Sequence, residues 1–93
     1  MRIIGHIEHQ VFKVTLFQHG EKLSIKCEDQ NMEQTYKFRM GPGLDSANDL
    51  IQLADEAFFE EVELHFKGMK RTAISMRKRG EQRSGEEEFP VII

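Results

Sequence analysis

Apolar and polar residues alternate through most of the first forty positions. Phe12, Val14 and Leu16 alternate with Lys13 and Thr15, the two-residue period of a strand that buries one face. Gln18-His19-Gly20-Glu21 supplies a turn, and Leu23, Ile25 and Cys27 then alternate with Ser24 and Lys26. Asp29-Gln30-Asn31 makes the next turn, and Tyr36, Phe38 and Met40 alternate with Lys37 and Arg39. Short turns between consecutive strands favour an antiparallel meander. The opening segment is out of phase, because Ile3 and Ile7 are odd-numbered and the later core positions even-numbered. A strand running straight through would send the two sets to opposite faces. A bulge or sharp bend near His9-Gln10 is expected to restore one face, with a separate short strand at residues 2–8 as the alternative.

Gly41-Pro42-Gly43 closes the sheet region, and the pattern then changes period. Ser46, with Asp49 three residues on, reads as a helix cap, and Asp45, Asp49, Asp55 and Glu56 suit the positive end of a helix dipole. No proline interrupts the chain from there to Arg79, so one helix is expected over Ser46–Arg79, about 50 Å long. Leu50, Ile51, Leu53, Ala54, Ala57 and Phe58 form a broad stripe suited to packing on a sheet. Phe59, Val62, Phe66, Met69, Ala73 and Met76 follow at alternating spacings of three and four, the repeat of a helix–helix seam. A strand of seven residues spans only about 23 Å. The sheet therefore covers about half of the helix, and the seam beyond it needs another partner. Gly68 is the weak point of the helix, and the rival layout ends it near Glu60 and makes a hairpin of residues 61–78.

Gly80-Glu81-Gln82-Arg83-Ser84-Gly85-Glu86-Glu87-Glu88 has no periodicity and reads as a linker leading to Phe89-Pro90-Val91-Ile92-Ile93. The expected organisation is one α+β domain over residues 1–79, an antiparallel sheet of three or four strands with one long C-terminal helix. A flexible acidic tail with an apolar tip follows over 80–93.

Composition narrows the class. The chain has 93 residues and a net charge of −3, which suits one domain. Apolar runs do not exceed three residues, no basic-then-apolar leader is seen, and Cys27 is the one cysteine. These features lead us to expect a cytoplasmic protein without a membrane segment. Charge is unevenly placed. Residues 1–66 hold six basic and twelve acidic side chains, whereas residues 67–79 hold six basic ones and no acid.

Residue patterns able to do chemistry are few. His6, Glu8 and His9 lie close in sequence, but alternation along a strand points the two imidazoles apart, so no metal is expected. Cys27 shares a face with Leu23 and Ile25 and reads as a core thiol beside the acids Glu28 and Asp29. Glu60-Glu61 and Glu86-Glu87-Glu88 have no assigned cleft, and neither phosphate-loop glycine pattern occurs. No enzyme signature and no cofactor is expected.

Three interaction readings remain. Phe66, Met69, Ala73 and Met76 form the candidate dimer interface, because an antiparallel second copy would lay the acidic half of one helix beside the basic half of the other. Lys67, Lys70, Arg71, Arg77, Lys78 and Arg79 form the candidate nucleic-acid site, without an aromatic residue after Phe66 to stack on bases. Phe89, Val91, Ile92 and Ile93 form a candidate docking tip that resembles, in general pattern, those of single-stranded-DNA-binding proteins.

Ile3-Ile4-Gly5-His6-Ile7, Phe12-Lys13-Val14-Thr15-Leu16-Phe17 and Glu33-Gln34-Thr35-Tyr36-Lys37-Phe38-Arg39 resemble segments of short, uncharacterised bacterial proteins. The resemblance covers about residues 1–66, with strands followed by one long helix, and implies no activity, cofactor or site residue. The function expected from the sequence is a small non-enzymatic interaction or scaffold module that homodimerises through its long helix. Nucleic-acid binding through residues 67–79 is the alternative.

Overall fold

The computed structural model describes residues 1–82. It has an α+β fold of four strands followed by a short and a long helix. The strands are β1 (Arg2–Ile7), β2 (Lys13–His19), β3 (Lys22–Asp29) and β4 (Met32–Arg39), and the helices are α1 (Ala47–Leu53) and α2 (Glu56–Gln82). The sheet is antiparallel throughout, in the order β1-β2-β3-β4. Alternation in the sequence places Val14, Leu16, Leu23, Ile25 and Cys27 on one face, and these join Phe12, Leu50, Val62 and Phe66 in the core. Each large side chain buried there contributes roughly 1.5–3 kcal/mol.

The turns follow local chemistry. His19 pairs with Lys22 across a tight turn in which Gly20 takes φ 63°, a conformation that glycine adopts without a steric penalty. Gln30 takes φ 57° in the β3–β4 turn, where a side chain is strained.

Three expectations are corrected. The out-of-phase opening segment is not one strand bent near His9-Gln10. It is the separate strand β1, which pairs with β2 after a full reversal of the chain, and its bulge lies between Ile3 and Gly5. His9 organises that reversal: its Nδ1 accepts from the backbone N–H groups of Val11 (3.1 Å) and Phe12 (3.4 Å), and its ring stacks on Phe12.

The helix expected over Ser46–Arg79 is two helices. Ser46 caps α1 as expected, its Oγ accepting from the Asp49 N–H at 3.2 Å. The chain then breaks at Ala54-Asp55, where Asp55 caps α2 by accepting from the Phe58 N–H at 3.0 Å. The break has a geometric reason. In one straight helix Leu50 and Val62 would sit about 120° apart around the axis, yet both are buried in the same core. Finally, α2 continues to Gln82, through Gly68 and through the first residues of the expected linker. The rival hairpin over residues 61–78 does not form. Residues 83–93, with the Phe89–Ile93 tip, lie outside the described residues.

The helices cover one face of the sheet. Phe66 packs on Phe12 (centroids 5.2 Å apart) and Phe58 meets Tyr36 edge-on at 5.4 Å. Gln34 ties β4 to α2: its Nε2 donates to the Val62 carbonyl at 3.0 Å, and its Oε1 accepts from the Tyr36 hydroxyl.

Candidate interaction surfaces

Along α2 the seam divides by what lies beneath it. Val62 and Phe66 are buried, Met69 is half-buried, and every residue from Lys70 to Gln82 is exposed. The 27-residue helix is about 40 Å long and an eight-residue strand about 26 Å, so the end of α2 projects past the β3–β4 turn. The molecule measures 55 × 28 × 18 Å. Phe66 is only 2% exposed, enclosed by its own sheet, which removes it from the set of residues free to contact a second copy. Met69, Ala73 and Met76 remain along an open groove that also includes Met32, Gly68 and Thr72. Met76 is 66% exposed.

The basic segment lies on the same projection. Lys67, Lys70, Arg71, Arg77, Lys78 and Arg79 are all exposed. Lys70 Nζ reaches Asp29 Oδ2 at 3.6 Å, the one ion pair among the described residues. Arg79 donates to the Ser75 hydroxyl at 3.1 Å.

A third surface escaped the linear reading. Residues directly opposite in a ladder share a face, so the registers map the side of the sheet that carries no helix. One row across it reads His19, Lys22 and Arg39. The next reads Ile3, Phe17, Ser24 and Lys37, and the third His6, Thr15, Lys26 and Thr35. The last row reads Lys13, Glu28 and Glu33. Five of the six basic residues in positions 1–66 thus converge on one face of a segment that is acidic in total. Counting charge by stretches of sequence hid this. Strand alternation was the signal that could have found it, because Lys13, Lys26, Lys37 and Arg39 are the polar partners of the apolar positions.

His6, Glu8 and His9 line one open depression at the β1–β2 reversal, but the two imidazoles differ in their surroundings. His6 is on the open face, while His9 lies against Phe12 and Phe59 on the helix-covered side. Among the described residues, no group of three or more His, Cys, Asp or Glu side chains is placed to hold a metal ion. Cys27 is buried, and burial pushes its thiol up to about 11, so it is protonated near neutral pH. Asp49 accepts from the Asp45 N–H at 3.1 Å; this bond holds its carboxyl below the ordinary range, while the hydrogen bond to Asp49 raises that of Asp45. An apolar cleft of about 120 Å³ between β4 and α1 is smaller than the several hundred Å³ usual for ligand pockets.

No protein family, curated protein or solved structure matches the chain. Among the described residues, no helix is long and apolar enough to cross a membrane.

Proposed function

We propose that this protein is a non-enzymatic interaction module that pairs with a second copy of itself through α2. The observation that carries the reading is the projecting end of α2, where Ala73 and Met76 extend the buried seam but stay exposed, with only the β3–β4 turn and Met32 beside them. Phe66, spent on its own core, takes no part. A second helix laid antiparallel along the groove, with its two-fold axis beside Gly68 and Thr72, fills it where the side chains are small. That placement also sets Glu61 near Arg79 of the partner subunit, opposite charges at the two ends of the contact. These exposed pairs orient the helices more than they strengthen the contact.

Light scattering and sedimentation test this. Wild type is expected to be a dimer at high micromolar concentration. Met69→Glu with Met76→Glu is expected to give a monomer, and Met76→Glu alone, which leaves the core untouched, a weakened dimer. A wild-type chain that stays monomeric overturns the reading.

One observation favours a second reading. Lys67, Arg71, Arg77, Lys78 and Arg79 are exposed and make no ion pair among the described residues, so they are available to phosphates. The segment carries no ring for stacking, since Phe66 is buried.

A further inference from the structure

We propose that the helix-free face of the sheet binds single-stranded nucleic acid, with Phe17 as a stacking platform and Lys22, Lys26, Lys37 and Arg39 as phosphate contacts. This site is separate from α2 and stands independently of self-pairing.

The cations on this face lack local compensation. Lys22 lies directly opposite Arg39, a like-charge pairing that disfavours the sheet. None of the four forms an ion pair among the described residues. The rows holding Phe17 and Thr15 contain no acid, and the first carboxylates are Glu28 and Glu33 in the last row. An anion laid over the first three rows would relieve the repulsion, and the Glu28–Glu33 pair would repel it at the far end.

Phe17 distinguishes a nucleic acid from an acidic peptide as the occupant. Its ring sits in the second row of this basic field, half-buried, with Lys26 Nζ over the ring at 5.4 Å from its centroid, so a base stacking there displaces the flexible lysine toward a phosphate. Its neighbours Ser24, across the ladder, and Thr15, in the next row, are small buried hydroxyl residues that form a low floor beside the ring. Neighbouring rows are about 7 Å apart along the strands, so the surface has room for about two or three bases laid across an open sheet. Bases held inside a duplex present no free face to the ring, so the site selects single strands.

The test is fluorescence anisotropy on the full chain with labelled oligo-dT and oligo-U at two salt concentrations. A duplex of equal length and poly-glutamate serve as competitors. Single strands are expected to bind, and the duplex and poly-glutamate to compete at least tenfold less well. Phe17→Leu, which keeps the apolar bulk, is expected to weaken binding roughly tenfold. Lys37→Gln with Arg39→Gln is expected to lower the slope of log affinity against log salt by about 1.4. Arg2→Gln, at a position beside Gln18 and away from this face, is expected to change neither, and Lys78→Gln with Arg79→Gln tests whether the α2 segment binds instead. Absence of binding at low salt overturns the proposal. So does loss of binding only in the Lys78/Arg79 variant, which would move the site to α2. Equal competition by poly-glutamate, with the Phe17 variant unaffected, would reduce the face to a general polyanion surface and also overturns it. Should Phe17→Leu fail to fold by circular dichroism, the Lys37/Arg39 slope decides alone.

Discussion

Cys27 shows how far one side chain's surroundings set its chemistry. Its thiol is buried in one core cluster with Leu23, Ile25, Val62 and Phe66, and burial raises its pKa from 9.0 to about 11. The unfolded chain releases this proton above pH 9, while the folded chain keeps it until about pH 11. The native state therefore binds more protons in that window, and stability falls as pH rises through it. The loss attributable to this group approaches roughly 2–3 kcal/mol once pH passes 11. Urea titrations at pH 7.5 and 10.5 should show a steeper loss for wild type than for Cys27→Val. Thiol reagents should label Cys27 only on unfolding. Burial, and not the neighbouring acids Glu28 and Asp29, is the cause. The core role of this residue was legible from alternation alone. The convergence of Lys22, Lys26, Lys37 and Arg39 was legible only in part: alternation puts them on the polar side of their strands, but register, which joins residues up to seventeen positions apart, brings them together.

The elements were legible where a single face had to be buried. β2, β3 and β4 each carry a clean alternation, and each formed near its expected place. β1 was harder to read because its bulge between Ile3 and Gly5 shifts the phase within the strand itself. The helix break was hidden by the absence of proline and by acids that serve equally well as dipole partners or as caps. Asp55 turned out to be a cap. Asp55→Ala is expected to cost about 1 kcal/mol, seen as a lower urea midpoint with unchanged slope. An equal effect from Glu56→Ala would argue that charge near the helix start, and not the cap, matters. The extension of α2 beyond Arg79 was unreadable for a different reason: Gly80, Glu81 and Gln82 have no apolar member, so no periodicity marks them as helical.

At the scale of the molecule, the sheet and the first half of α2 form one packed unit from which the second half projects. A helix of about ten residues without tertiary support is marginal in water. Amide hydrogen exchange over residues 73–82 is therefore expected to be fast in dilute solution and to slow as protein concentration rises, if α2 pairs with a second copy. The strands should keep the same protection throughout. Met76→Glu should abolish the concentration dependence, and its absence from wild type would count against pairing. The length mismatch behind this expectation was visible in the sequence. What it could not show was that the core reaches as far as Met69, so that the unsupported seam begins at Ala73.

The strand order has a consequence for biosynthesis. Because each strand pairs with the one made just before it, the sheet can assemble in the order in which it leaves the ribosome. Its oily side stays bare until the residues around Val62 and Phe66 emerge to cover it, which makes that interval the one in which a nascent chain most needs a chaperone. The projecting end of the helix is synthesised later still, so under the proposed pairing a chain would be folded before it had anything with which to hold a sister molecule.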